Sequence, residues 1–182
     1  TLALPIVTLD EFLSVFTRLG QATGLDGASE EARRAVEAEL ESVRRRVAGR
    51  EPVDVLVVIG REPGEIRGIY AAGRGSFLDE LISIAGGRNV LESFTEPYPT
   101  LSPEEILAAR PAVLIEPHVG ADLSASDEAR IRRTWQTLPG VPAVRNNRIA
   151  LPTDDSLLIG GPRIGRAARI LADLLHPEPG AE

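Results

Sequence analysis

The sequence predicts an α/β fold with three layers, in which a mostly parallel sheet is flanked by helices and a long helix lies near the N-terminus. Two apolar runs, at residues 53–59 and 112–116, are continuous instead of alternating. Such runs are typical of strands that are covered on both faces. Segments with helical periodicity separate the runs, and strands that alternate with helices indicate a parallel sheet.

The first third of the chain predicts a strand tail at residues 2–7 and a helix over residues 10–19. Ser29 is expected to cap a second helix that ends near Ala48, with a narrow apolar line and charged flanks. At 1.5 Å per residue this helix is about 30 Å long. Its composition is typical of a strut that lies across a surface. The first buried strand, 53–59, follows.

The segment 73–90 predicts the helix around which the remaining elements are organised. Ser76 is expected to be its N-cap, and Asp79 is expected to reach back to the Ser76 backbone N–H as a capping box. The glycine-rich loop 60–75 precedes this helix and follows the carboxyl end of a strand. Loops in that position line the ligand crevice of open α/β sheets, so this loop is the first candidate binding surface.

The second half of the chain predicts a further series of elements, with a short strand at residues 90–91. Ser102 followed by Pro103 and Glu105 is a strong helix start. The other expected elements are a strand at 112–116, a helix over 126–138, the segments 141–144 and 148–151 around a turn at 145–147, a loop at 153–160 and a last helix that opens at Pro162.

Composition limits the classes of function. The 182 residues are 43% hydrophobic and 26% charged, which is ordinary for a globular domain. A net charge of −7 argues against a nucleic-acid partner or an anionic membrane surface. The chain has no cysteine and two distant histidines, so we expect no metal site, no catalytic site and no resident cofactor. It begins with Thr, and we expect a processed product or a fragment.

Several polar residues follow strands or open helices, and each allows two interpretations. His118 lies at the carboxyl end of a strand, where it either contacts a ligand or is a loop histidine without a role. Arg163 either holds an anion at a helix N-terminus or pairs with a neighbouring carboxylate. Asp154, Asp155 and Ser156 form either a solvated cap or part of a site.

Four segments together carry a family resemblance. They are 60–64 (Gly-Arg-Glu-Pro-Gly), 73–90, 98–111 (beginning Tyr-Pro-Thr-Leu-Ser-Pro-Glu-Glu) with the apolar strand after it, and 161–164 (Gly-Pro-Arg-Ile). They resemble the second lobe of the substrate-binding proteins of ABC importers for vitamin B12, haem and ferric siderophores. The likeness is strongest for the vitamin B12, or corrinoid, group, and it runs from about residue 2 to residue 175.

The resemblance implies two α/β lobes that are joined by one long helix, with the ligand held between them. Residues 1–28 then correspond to the last strand and helix of a first lobe, 29–49 to the interlobe helix and 50–182 to the second lobe. Most of a first lobe is absent. The chain is therefore expected to be either a truncated form or a half that pairs with another copy as a homodimer.

The resemblance also assigns ligand-binding roles. Tyr98 matches an aromatic residue that lines the cleft, where the family has Trp. Arg61, Glu62 and Tyr70 lie in a second cleft loop, and the residues 154–157 lie in a third; His118 and Arg163 complete the candidate set. The implied ligand is a corrinoid or a similar tetrapyrrole, with a ferric siderophore or haem as the alternative.

Glu104 matches a glutamate that docks on arginines of the membrane permease. Glu105 is expected to be occupied by the helix cap, while Ile106 and Leu107 are expected to turn inward. The implied location is periplasmic or extracytoplasmic, with membrane contact only through the permease or a lost lipid anchor. Two alternatives come from other classes of function. One is an enzyme that uses the same cleft, and the other is an interaction module without a transport role.

Overall fold

The structure is a computed structural model that describes residues 7–178. Within that range the helices are α1 (Leu9–Thr23), α2 (Asp26–Val47), α3 (Phe77–Ile84), α4 (Pro103–Ala109), α5 (Ala125–Trp135), α6 (Pro142–Arg145) and α7 (Ile164–Leu175). The strands are β1 (Val53–Gly60), β2 (Ile69–Ala71), β3 (Gly87–Asn89), β4 (Thr100–Leu101), β5 (Val113–Ile115) and β6 (Ile149–Ala150), and a 3₁₀ turn spans Asp155–Leu157.

The described strands form one sheet in the order β4-β2-β1-β5-β6, and β3 pairs with the first half of β1. The pairings of β1 with β3 and β5, and of β5 with β6, are parallel. The short strands β2 and β4 are antiparallel, and β2 pairs with the last residues of β1. The predicted α/β class is confirmed, and the antiparallel edge is an addition that the sequence pattern did not predict.

Helices cover both faces of the sheet, which confirms the three layers. Val55 and Val57 point to one face, where they pack with α1, α2, α3 and α7. Leu56 and Val58 point to the other face, where they pack with Ile106 of α4 and with residues of α5 and α6. Successive side chains of a strand alternate between faces, so one continuous apolar run supplies two hydrophobic cores.

The long helix α2 has 22 residues and is therefore about 33 Å long. It begins at Asp26 instead of behind Ser29, because the left-handed Gly24 ends α1 and the chain turns directly into α2. Its buried positions are Val36, Leu40, Val43 and Val47, while Ala32 is exposed. Within residues 7–178, no helix combines the length and the apolar character that a membrane span needs.

Other predicted boundaries also shift. Helix α1 continues to Thr23, beyond the predicted end at residue 19, and Leu19 is exposed although the helical stripe of residues 12, 13 and 16 predicts that it faces inward. The strand expected at residues 90–91 lies at Gly87–Asn89, and α5 begins behind Ser124. The segment 141–144 lies mostly in the helical turn α6. The strand predicted at residues 2–7 falls almost entirely outside the described residues.

The cap of α3 forms only half of the predicted capping box. The Ser76 hydroxyl accepts a hydrogen bond from the Asp79 backbone N–H at 3.2 Å. The Asp79 carboxylate, however, accepts from the Gly75 N–H and from the side-chain amide of Asn89. The Ser76 N–H is already bonded to the Gly73 carbonyl at 3.3 Å. The carboxylate therefore ties α3 to β3 instead of closing its own cap.

Gly73 lies where the chain passes from β2 to α3, close to the segment that precedes β4. Its N–H donates to the Pro97 carbonyl at 2.8 Å. A Cβ atom at this position would lie 2.5 Å from the Glu96 carbonyl oxygen and 2.7 Å from Cδ of Pro99. The segment beside residue 98 can approach this closely only because position 73 has no side chain.

We predict that Gly73→Ala lowers the free energy of unfolding by about 1–3 kcal/mol, because the added methyl group overpacks this contact. Urea denaturation measures the change. Gly27→Ala is the matched control, since nothing lies within 4 Å of a Cβ there. Position 27 is exposed in α2, so alanine should be neutral or stabilising by up to about 1 kcal/mol. Equal stability of the two variants would contradict the close approach at Gly73.

Candidate functional site

The parallel strands β1, β5 and β6 end at the same edge of the sheet, which is where open α/β sheets bind ligands. The chain leaves this edge as three segments, at residues 61–68, 116–124 and 151–163. The antiparallel pair of β2 and β4 lies beside the end of β1 and adds residues from two further loops. Most of the predicted site residues are therefore brought to one edge.

Tyr70 and Tyr98 stack at this edge. Their ring centroids are 5.8 Å apart and the ring planes differ by 30°. Tyr70 is the outward residue of β2, since Ile69 and Ala71 on either side of it are buried. It pairs with Thr100 in β4, so Tyr98, two residues earlier in the chain, comes within reach. Tyr70 keeps 42% of its surface exposed, which leaves its ring available to a ligand.

The stacked tyrosines form one wall of a pocket of about 190 Å³, which we call the aromatic pocket. The residues that line it come from the end of β1, from β2, from the start of α3, from the segment before β4 and from the residue after the 3₁₀ turn: Ile59, Tyr70, Phe77, Leu78, Tyr98 and Leu158. The loops that contain Tyr70 and Tyr98 thus meet, around one apolar surface, the residue that directly follows the segment 154–157.

A larger depression, of about 720 Å³, lies beside β3 and is lined by charged groups of both signs that include Arg74, Glu80 and Arg88. Its lining also includes Pro52, which precedes β1, and contains no aromatic side chain. Ligand pockets are usually apolar with a few polar groups, so we assign the candidate site to the aromatic pocket.

The residues 154–156 are held by their own contacts at the rim. Asp154 accepts hydrogen bonds from the backbone N–H and the hydroxyl of Ser156, and it pairs with Arg166 at 2.6 Å. The Ser156 hydroxyl bond is the main reason why the pKa of Asp154 is lowered. Asp155 pairs with Arg163 at 2.8 Å, and this contact raises the pKa of the arginine. Arg163 therefore pairs with a neighbouring carboxylate, which was one of its two interpretations.

The remaining predicted residues adjoin the other core. The Arg61 side chain is only 5% exposed; its Nε donates to the Glu116 carboxylate at 3.1 Å. Trp135 Nε1 donates to the same carboxylate oxygen at 2.6 Å, and the guanidinium carbon of Arg61 lies 5.5 Å from the centre of the indole ring. We call these three residues the Arg61 cluster. Buried charges are stable only when they are paired and hydrogen-bonded, as they are here.

His118 and Glu62 lie near the Arg61 cluster without lining the aromatic pocket. Nε2 of His118 is 3.1 Å from a Glu116 oxygen, but the approach is outside hydrogen-bond geometry. Among the described residues, this buried nitrogen has no hydrogen-bond partner. Glu62 is exposed and pairs with Arg67 at 3.1 Å. Residues 7–178 contain no cluster of three or more histidine, aspartate or glutamate side chains that could hold a metal ion.

Glu116 is the residue that the sequence analysis missed. It ends the run 112–116, which was predicted as a buried strand, so its carboxylate would need a partner inside the fold. That expectation was available from the sequence, although the identity of the partner was not.

Comparison with known proteins assigns the chain to a family. The sequence profile described as periplasmic binding protein matches residues 3–155. The chain belongs to the periplasmic binding protein family. This assignment agrees with the α/β layers of the fold.

Individual members of the family give the same picture. The vitamin B12-binding protein of Salmonella typhi is 23% identical over 169 residues, which are 93% of this chain and 58% of that protein. A possible iron-binding periplasmic solute-binding protein from Staphylococcus epidermidis superposes with a TM-score of 0.80 at 22% identity, over 94% of this chain and 64% of that one. The periplasmic haem-binding protein of Roseiflexus sp. RS-1 has a TM-score of 0.72 at 30% identity, over 92% and 63%.

The chain therefore spans somewhat more than half the length of the vitamin B12-binding relative that it matches.

Burial raises the pKa of the Tyr98 phenol above its usual value of 10.0, and the neighbouring Tyr70 adds to the rise. As the pH rises above about 10, the unfolded chain loses this proton before the folded chain does. The free energy of unfolding should therefore fall with rising pH in this range and should be unaffected below it.

We predict that Tyr98→Phe flattens this alkaline fall. Urea denaturation at a series of alkaline pH values measures it, and the tyrosinate absorbance of wild type minus variant should show a transition above the usual tyrosine pKa. Parallel stability curves for the two proteins would mean that the folded structure does not shield the Tyr98 phenol.

Proposed function

We propose that this chain is the second lobe, with the interlobe helix, of an extracytoplasmic substrate-binding protein that captures a corrinoid or a similar tetrapyrrole and delivers it to an ABC permease. It binds the ligand and catalyses no reaction. The observation that carries the proposal is the stacked pair of Tyr70 and Tyr98 over the aromatic pocket, at the edge where three loops meet.

The pocket suits one part of a flat macrocycle. Aromatic faces offer a large apolar contact, and tyrosine hydroxyls at the rim can bond to amide or carboxylate groups of the ligand. Its volume of about 190 Å³ is below the roughly 300–1,000 Å³ of complete ligand pockets. The described residues thus form one wall of a binding cleft, and a first lobe would form the other.

Helix α2 fits the role of a rigid connection between lobes. Its inner stripe packs on α1 and α7, which fixes its direction relative to the second lobe. Its outer face carries ion pairs, for example from Arg33 to Glu30 and to Glu37, so it tolerates water. A helix of about 33 Å can span a small domain without intermediate support.

Haem is the second candidate ligand within the same class. The observation that favours it is the similarity to the haem-binding protein of Roseiflexus sp. RS-1 at 30% identity. Haem is also flat and aromatic, so the tyrosine pair would serve both ligands. A direct comparison of the two ligands with the same protein separates these candidates.

We predict that the chain binds cobinamide or haem weakly, with a dissociation constant above the micromolar range, because the ligand keeps much of its surface in water. Tyr98→Ala should weaken binding by a further amount of about 1–3 kcal/mol. Tyr98→Trp should retain the wild-type affinity, since indole also offers a flat face. Absorbance titration at high protein concentration measures these affinities, with Phe94→Ala as control because Phe94 lies outside the aromatic pocket.

Submicromolar binding by a monomer would show that the described residues already form a complete site. Equal losses for Tyr98→Ala and Tyr98→Trp, accompanied by a lower melting temperature, would assign Tyr98 to packing. Sedimentation in parallel detects a homodimer, in which a second copy would cover the pocket.

The surface proposed for the permease lies at the start of α4. Glu105 completes the cap there, since its carboxylate accepts from the Ser102 N–H at 2.7 Å and from the Ser102 hydroxyl at 2.8 Å. These bonds lower the pKa of Glu105. Glu104 is exposed and makes no ion pair or side-chain hydrogen bond with any residue in the range 7–178. Ile106 is buried as predicted, but Leu107 is 37% exposed instead of inward and adds an apolar neighbour to this surface.

We predict that Glu104→Arg prevents association with the permease and leaves folding and ligand affinity nearly unchanged, because the side chain supports no contact within the lobe. Glu105→Ala should cost about 0.5–2 kcal/mol of stability through the lost cap and should leave docking intact. Co-sedimentation with permease vesicles and thermal denaturation measure the two effects. If the Glu104→Arg variant docks normally, this surface does not contact the permease and is simply exposed to solvent.

A further inference from the structure

The Arg61 cluster lies directly behind the segment 62–67, which connects β1 to β2. In addition to its bond to Glu116, Arg61 uses Nη1 to donate to the carbonyl oxygens of Glu62 and Glu65, at 3.3 and 3.0 Å. One buried guanidinium thus holds the carboxylate that follows β5 and the backbone of a turn that follows β1.

Besides Arg61, the side chain of the segment 62–67 that packs on the body of the lobe is Ile66, which is partly buried against the second core. The backbone of the segment closes on itself through bonds from the Glu62 N–H to the Arg67 carbonyl and from the Glu65 N–H to the Glu62 carbonyl. Its charged side chains pair with one another, with Arg67 between Glu62 and Glu65, but these groups are more than half exposed to water. Exposed ion pairs contribute little to the stability of a conformation.

A cavity of about 300 Å³ lies under the same segment. Pro63 and Gly64 form one side of it, and Ile131 of α5 forms part of the other side. The turn is therefore not packed against the body of the lobe along this side. Arg61, which also lines the cavity, connects the turn to the body.

We propose that Arg61 is a positioning residue, which fixes the conformation of the segment 62–67 at the edge of the cleft by bonding it to the buried Glu116. The planar guanidinium is required because it donates in several directions at once: Nε to the carboxylate and Nη1 to two carbonyls. The consequence for ligand binding rests on the proposed function, whereas the conformational role does not.

The segment contains a cleavage site that reports on its own conformation. Trypsin cuts after Arg67, but only when the surrounding backbone opens, so the cleavage rate of the folded protein measures local opening. Trp135 provides a second local signal, because it is the single tryptophan of the chain and belongs to the Arg61 cluster.

Arg61→Gln should speed cleavage after Arg67 about tenfold or more, the effect expected when charge-assisted hydrogen bonds are lost. The double variant Arg61→Gln with Glu116→Gln should do the same without leaving a buried charge unpaired, and it covers the case in which the single variant does not fold. Arg61→Lys retains a charge for Glu116 but cannot bond both carbonyls, so it should keep more of the melting temperature and still be cut rapidly.

Arg148→Gln is the matched control. Arg148 is also a part-buried arginine that bonds to two backbone carbonyls, those of Leu174 and Leu175, but it lies before β6 at the opposite edge of the sheet. This variant should lower the melting temperature without accelerating cleavage after Arg67 and without changing the emission of Trp135. Mass spectrometry identifies the bond that is cut.

An unchanged cleavage rate in both Arg61→Gln variants would overturn the proposal, as would equal acceleration in Arg148→Gln. These outcomes are decided on the ligand-free protein and are independent of the proposed function, which fails separately if neither cobinamide nor haem binds to the wild type. Where the wild type binds, Arg61→Gln should weaken binding about tenfold in step with the loop opening. If cleavage is faster but the affinity is unchanged, the segment 62–67 does not contribute to the ligand site.

Discussion

The structure depends on the burial of β1, which is covered on both faces and paired on both sides. Val55, Leu56, Val57 and Val58 are essentially without solvent exposure. Each residue of this run joins one of the two cores, so the strand cannot shift its register without exchanging both sets of side chains. The end of β1 is thereby fixed in space, and it supplies Ile59 to the aromatic pocket and, directly after its last residue, Arg61 to the Arg61 cluster.

The two sides of that strand end have different chemistry. On one side, Ile59 joins the stacked tyrosines in an open, apolar pocket. On the other side, Arg61 points inward and forms a buried hydrogen-bonded network with Glu116 and Trp135. The buried network fixes the backbone and the open pocket offers the contact surface. The burial of the Glu116 carboxylate is thus explained by its bond to Arg61, which supports the segment 62–67. This explanation needs no contact between Glu116 and a ligand.

Local signals in the sequence predicted the elements whose causes are local, and failed where distant strands decide the outcome. The start of α4 is correct because Ser102, Pro103 and Glu105 interact only with one another. The stacking of Tyr70 on Tyr98 was not predictable from residues alone, because it needs the pairing of two strands of three and two residues that lie within long loops. Glu116 similarly finds partners that are 55 and 19 residues away.

Under the function proposed above, the aromatic pocket binds a ligand best when its wall is ordered before the ligand arrives. Ordering of loops and side chains during binding reduces the affinity, and this cost is smaller when they are ordered beforehand. Tyr70 and Tyr98 hold each other through stacking, the strands β2 and β4 hold their backbones, and the Arg61 cluster holds the adjoining turn. The ordering of this wall is therefore completed during folding. Under the function proposed above, a flat ligand would meet this ordered wall first, and the second wall would come from a separate lobe that the rigid helix α2 holds in place.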